Sequence, residues 1–184
     1  MGAPRMPHPA MLFAGVLYTS VESLQRANFL LRKEFGGITR ETPPRRWHSD
    51  YYSQELGPSV ERKFYFFGRL IDPGEIAEIK LKTNRMETGL LEEGKRKVNV
   101  DPGYITAAKL VLVSTKDYAH RVYLGRGIYG ESTLLWSAKD KTFVPHLYTY
   151  SDFKEKQNIR VFSEMRAVLL QALKSESPED STRL

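Results

Sequence analysis

The sequence predicts an α+β fold: a ferredoxin-like or split βαβ sandwich extended by a C-terminal β-hairpin and a terminal helix. Three observations predict it. Apolar runs of strand length alternate with segments of helical period in the order strand, helix, strand, strand, helix, strand. A glycine-rich stretch between two short apolar segments follows, and an amphipathic segment closes the chain. With 184 residues, 41% of them hydrophobic and 27% charged, the chain has apolar surface for one core and too little length for two. One domain is therefore expected over residues 11–174, with a flexible N-terminus at 1–10 and a disordered tail at 175–184.

Residues 11–18 (MLFAGVLY) are continuously apolar and read as a strand. Thr19, with Glu22 three places on, reads as a capping box that opens a helix. Val21, Leu24, Leu31 and Phe35 recur at helical spacing, and Gly36-Gly37 closes the segment. Residues 38–41 form a short strand that Pro43-Pro44 interrupts, and residues 45–58, polar and aromatic without a period, form an ordered loop. Residues 62–71 (RKFYFFGRLI) are an aromatic strand. Asp72-Pro73-Gly74-Glu75 then supplies a helix start, with Asp as N-cap, Pro at N1 and Glu at N3. Ile76, Ile79, Thr83, Met86 and Leu90 give that helix its inner face, and Gly94 its end.

Residues 98–100 read as a short strand closed by an Asp101-Pro102-Gly103 turn. Residues 106–114 (TAAKLVLVS) suit either element, and a short helix is preferred on the alanines and leucines. Residues 120–124 and 128–136 flank Gly125-Arg126-Gly127 and form a hairpin with a three-residue loop. A strand at 142–145 and a helix over 152–174 complete the chain, the helix burying Phe162, Met165, Leu169 and Leu173.

Composition narrows the chemistry. Without cysteine there is no disulfide, no thiolate nucleophile and no Cys-bound metal. No run approaches the roughly 20 apolar residues of a membrane helix, and residues 1–20 do not make a signal peptide, so no membrane association and a cytoplasmic location are expected. The net charge of +6 favours anionic partners.

Several motif lookalikes fail on context. Gly89, Gly94 and Lys95 match a phosphate loop, but Arg96 stands where Ser or Thr must hold Mg²⁺, and the stretch ends a helix instead of opening one. Gly125-Arg126-Gly127-Ile128-Tyr129-Gly130 fits a dinucleotide fingerprint, yet a strand follows it. Thr115-Lys116-Asp117 lacks a residue of the guanine-reading element. Phe13, Phe64 and Phe66 resemble base-stacking aromatics. Together with Arg45-Arg46, Arg62-Lys63 and Lys95-Arg96-Lys97 they make RNA an alternative partner.

The hairpin register places Leu124 against Ile128, Tyr123 against Tyr129 and Arg121 against Glu131. Arg121, Tyr123, Tyr129, Glu131 and Thr133 then share a polar face, and Val122, Leu124, Ile128 and Leu134 face the core. His120 alternates onto the apolar side. Asn99, Tyr104, Lys109, Lys116 and Asp117 join Arg121, Tyr123 and Tyr129 as candidate ligand-binding residues, since cations hold phosphate or carboxylate. Asp101, Glu131 and His120 are the candidate catalytic groups, and Asp101 with Glu131 could hold Mg²⁺ or act as base. No cofactor is specified beyond that possible Mg²⁺, and the sequence carries no oligomeric state.

The run Asn99-Val100-Asp101-Pro102-Gly103-Tyr104, with Lys109-Leu110-Val111-Leu112, Thr115-Lys116-Asp117-Tyr118, His120-Arg121 and Tyr123-Leu124-Gly125-Arg126-Gly127, resembles the bacterial and archaeal domain of unknown function 4416 family. That family carries an Asn-Leu-Asp-Pro-Gly-Tyr signature, and Val100 replaces its leucine here. Asp50-Tyr51-Tyr52 and Leu70-Ile71-Asp72-Pro73 extend the likeness. The resemblance implies no established activity. The expected function is binding of an anionic small molecule, a nucleotide or phosphorylated metabolite, with or without catalysis; RNA binding and a non-catalytic subunit or scaffold role are the alternatives.

Overall fold

The computed structural model describes residues 2–47, 56 and 59–176. Nine strands form one antiparallel sheet among these residues: β1 (Ala10–Tyr18), β2 (Ile38–Glu41), β3 (Arg45–Trp47), β4 (Val60–Ile71), β5 (Val98–Ile105), β6 (Lys109–Ser114), β7 (Val122–Gly125), β8 (Ile128–Ser137) and β9 (Thr142–Pro145). The main order is β2-β4-β1-β5-β6-β8-β7, with β3 on β4 and β9 on β8. Helix α1 (Val21–Phe35) carries the chain from β1 to β2, which run parallel with β4 between them. A 3₁₀ turn (Pro73–Glu75) and helix α2 (Ile76–Gly89) carry it from β4 to β5, with β1 between. Both crossovers lie on one face of the sheet. The short α3 (Ser151–Lys154) and the long α4 (Lys156–Glu176) cover the other.

Alternation along β1 divides the core. Leu12, Ala14 and Val16 pack under α1 and α2 with Tyr65, Phe67, Val98 and Val100. Met11 and Phe13 pack under α4 with Phe64, Phe66, Leu112, Phe153 and Phe162. Because both faces are covered, β1 is apolar throughout. That explains residues 106–114, where the expected helix is strand β6 from Lys109: a continuous apolar run serves a strand buried on both sides.

Other boundaries differ for local reasons. The N-cap of α1 is Ser20, whose hydroxyl accepts from Ser23 N–H while Ser23 returns the bond, so the capping box lies one residue beyond Thr19. Asp72 caps as expected, accepting from Gly74 N–H at 2.8 Å, but α2 ends at Gly89. Gly94 serves instead a tight turn between Glu92 and Lys95. The terminal helix is broken at Glu155, and its second part runs to Glu176, inside the expected tail. Of the expected loop at 45–58, Arg45–Trp47 is strand β3, and residues 48–55 and 57–58 lie outside the described residues.

Asp101-Pro102-Gly103 is strand interior and no turn. Proline has no N–H to donate, which a strand tolerates only where that edge is unpaired. β5 pairs with β1 along its whole length but with β6 only from Gly103 to Ile105. Gly103 is required where the two strands meet: a Cβ there would lie 2.3 Å from the Val111 carbonyl oxygen and 2.5 Å from Phe13 Cζ. Beyond this short ladder β5 and β6 part.

The hairpin also differs. Tyr123 faces Tyr129 as expected, but a bulge at Leu124 puts Gly125 opposite Ile128 and leaves a two-residue turn, Arg126-Gly127, with both φ angles positive. β7 is an edge strand, so Val122 and Leu124 are exposed, not core, while Ile128 and Leu134 are buried.

Candidate functional site

The parting of β5 and β6 leaves a row of β5 backbone groups with no strand partner, and buried backbone polar groups must find one elsewhere. Helix α2 supplies it. Glu87 Oε1 accepts from Val100 N–H at 2.8 Å, and Lys80 Nζ donates to the Val100 carbonyl at 2.8 Å. Pro102 stands two residues on, in the same backbone phase, and has no N–H to satisfy. Lys80, Thr83 and Glu87 thus form a polar stripe on the buried face of the helix, beside Ile76, Ala77 and Ile79.

The gap is a cavity of about 220 Å³. Asn99 and Asp101 of β5, Arg62 of β4, Trp47 of β3, Lys80 and Asn84 of α2, and Arg96 line one wall. Residues 112–116, Arg121 and Tyr150 line the other.

On the first wall Asp101 is the hub. Its Oδ2 accepts from Asn99 Nδ2 at 2.7 Å and lies 3.5 Å from Arg62 Nη1, while Oδ1 lies 3.4 Å from Lys80 Nζ. Burial pushes the Asp101 carboxyl up, but Lys80 and Arg62 outweigh it and hold the group below the ordinary aspartate value. Arg62 also donates to Asp152 Oδ2 at 2.9 Å and lies over the rings of Trp47 and Phe64. Gly15 makes room for it: a Cβ at Gly15 would meet Arg62 Nη1 at 2.9 Å. Arg96 reaches both Glu87 and Asn99. Burial raises the carboxyls of Glu87 and Asp152 despite their cationic partners.

On the second wall Arg121 is fixed from three sides. Its Nε donates to Glu131 Oε2 at 2.8 Å, its Nη1 to the Lys116 carbonyl at 2.9 Å and its Nη2 to the Tyr150 hydroxyl at 2.7 Å. Its side chain is 3% exposed. A buried arginine held this firmly presents fixed donors to whatever enters.

Of the residues singled out by sequence, Asn99, Asp101, Lys116 and Arg121 line the one cavity. Glu131 does not line it: 5% exposed, it stands behind Arg121 and also takes His120 Nε2 at 2.7 Å and the Thr133 hydroxyl at 3.3 Å. Glu131 and Thr133 are thus buried beneath the loop before β7, not on a solvent-facing sheet surface. His120 lies outside the cavity, stacked on Tyr148 at 4.5 Å, and not on the core side. Tyr104 packs with the α1–α2 core, and Lys109 is exposed at the far end of β6. Tyr123 and Tyr129 pair with each other on the hairpin, and Asp117 is exposed. Asp101 and Glu131 belong to separate networks, and among the described residues no three His, Asp or Glu side chains gather to hold a metal ion.

Sequence reasoning missed Arg62, Lys80, Glu87 and Asp152 as site residues. The signal for the α2 pair was present: charged residues at 80 and 87 sit in phase with Ile76 and Thr83 on a buried face. Phe64 and Phe66 are 1% and 0% exposed under α3 and α4, so no base reaches their rings in this structure.

The model of the family described as Domain of unknown function (DUF4416) matches residues 8–168. The chain belongs to this family. The matched span contains all nine strands and, among the described residues, every one that lines the cavity, from Trp47 to Tyr150. No curated protein and no solved structure matches the chain. Among the described residues no helix is long and apolar enough to cross a membrane.

Proposed function

We infer that this DUF4416 protein binds an anionic small molecule, a nucleotide or phosphorylated metabolite, in the cleft between β5 and β6. The observation that carries the reading is charge: Arg62, Lys80, Arg96, Lys116 and Arg121 all line the cavity, against Asp101 as the carboxylate among its described lining residues. Taking cations out of water is costly, and paired guanidiniums held in fixed geometry suit phosphate or carboxylate recognition. The size supports a compact ligand, since drug-sized ligands occupy pockets of about 300–1,000 Å³ and this one is about 220 Å³. Such ligands are cytoplasmic metabolites, and a Mg²⁺ ion would come to the cleft bound to their phosphates.

A thermal-shift screen of nucleotides and sugar phosphates tests the reading. The control is the Arg121→Gln, Glu131→Gln double variant, which removes a buried pair together and so leaves neither charge orphaned. At least one compound is expected to raise the melting temperature of the wild type more than that of the double variant. Equal shifts for both proteins across the whole screen would refute the reading.

A further inference from the structure

The two walls of the cleft offer different chemistry. The β5 wall holds three cations, Arg62, Lys80 and Arg96, already engaged by three carboxylates, Asp101, Glu87 and Asp152. It is close to neutral, and the group it turns into the cavity is an acceptor. A carboxylate offers about four acceptor positions, whereas Asp101 takes one short bond from Asn99 and two long contacts at 3.4 and 3.5 Å. The opposite wall brings to the cavity residues 114–116, Arg121 and Tyr150, and the carboxylate that holds Arg121, Glu131, is buried behind it.

A phosphate placed against Asp101 would meet an ionised carboxylate, and like charges at contact repel strongly in a site with little water. The same phosphate on the opposite wall meets two cations, Lys116 and Arg121. Asp101 then faces the remainder of the ligand and requires a donor from it. An ammonium there would make a third cation beside Lys80 and Arg62, whereas a hydroxyl donates without adding charge.

Resting on the anion-binding reading above, we propose that the ligand is a phosphorylated polyol whose phosphate sits on residues 114–116 and Arg121 and whose hydroxyls donate to Asp101. Free sugar phosphates and the ribose phosphate of nucleotides both have this chemistry.

The test is isothermal titration of wild-type protein with ribose 5-phosphate, n-pentyl phosphate, O-phosphoethanolamine and AMP. Ribose 5-phosphate is expected to bind at least about tenfold more tightly than n-pentyl phosphate, which has the same carbon count and no hydroxyl, because hydrogen bonds to charged groups are worth that much. AMP binding more tightly than ribose 5-phosphate assigns the site to nucleotides, and the reverse order assigns it to free sugar phosphates. Asp101→Asn should reduce the ratio between ribose 5-phosphate and n-pentyl phosphate several-fold while tightening inorganic phosphate, since it removes a negative charge from the cavity. A residue with a purely structural role would weaken both. Lys109→Ala, exposed at the far end of β6 and outside the cavity, is the second variant and should leave the preference for ribose 5-phosphate intact. Equal affinity for the two esters, or a preference for O-phosphoethanolamine, overturns the polyol assignment and leaves anion binding standing. Failure of every phosphate ester to bind overturns both.

Discussion

The two halves of β5 share one strand and one neighbour, β1, yet do opposite things. From Gly103 to Ile105 the strand is paired on both edges, and Ile105 closes the core with Phe13, Leu110 and Leu112. From Val98 to Pro102 its outer edge is released from β6, and charged side chains take over the backbone's hydrogen bonds. A polar cavity inside a sheet thus needs no inserted loop. It needs a strand that stops pairing halfway and a helix that brings Lys80 and Glu87 to the exposed backbone.

The comparison is most directly broken on the open half. Glu87→Ala strips Val100 N–H of its acceptor and Lys80 and Arg96 of a partner, and should cost about 3–5 kcal/mol, as removal of one member of a buried charged pair does. Urea denaturation reads this directly. A loss under 1 kcal/mol would mean that water already satisfies this edge of β5. On the closed half, Gly103→Ala drives a methyl into backbone and an aromatic ring, and overpacking of that kind costs about 1–3 kcal/mol. Here the upper end is expected, because the closest atom is the Val111 carbonyl oxygen and cannot rotate away. An unchanged urea midpoint would show that the β5–β6 ladder can slide.

Acid sharpens the contrast between carboxylates. The folded-state Asp101 value is depressed, so its contribution to stability is fully present above the unfolded-state value near 3.8 and is lost as pH falls through the folded value. Glu87 and Asp152 have raised folded values. Each contributes stability that is complete below its unfolded value and is lost as pH rises through the folded one. The stability difference between wild type and Asp101→Asn should therefore stay constant near neutral pH and shrink below about pH 3.8. A difference that grew on acidification would have the wrong sign. The smallest effect belongs to a charge pair away from the cleft. Glu164→Ala removes the exposed bond to Arg160 on α4 and a longer exposed contact to Arg40 on β2, and should change stability by at most about 0.5 kcal/mol.

Much of the element order was legible because local chemistry announces it. The β2 strand at 38–41, the end of α1 at Phe35 and the Asp72 cap were all readable from apolar period, glycine placement and capping residues. The inner face of α4, Phe162, Met165, Leu169 and Leu173, followed from helical spacing alone. Asp101-Pro102-Gly103 misled, because the same three residues satisfy a turn and a half-paired strand equally well, and only the neighbouring strands distinguish them. Val122 and Leu124 misled for a related reason: alternation shows which residues share a face but not whether anything covers that face.

By itself the sequence determined the α+β composition, the helical crossovers and four of the residues that line the cleft, Asn99, Asp101, Lys116 and Arg121, since each depends on local pattern or on polar residues standing close in the chain. Tertiary structure alone decided that β5 and β6 part, that Arg62, Lys80 and Arg96 gather around Asp101, and that Glu131 supports Arg121 from behind. Those groups come from β4, α2, the connection after α2, β5, the loop before β7 and β8, and what gathers those around Asp101 is the unpaired edge of one strand, whose backbone must be satisfied by side chains from far along the chain.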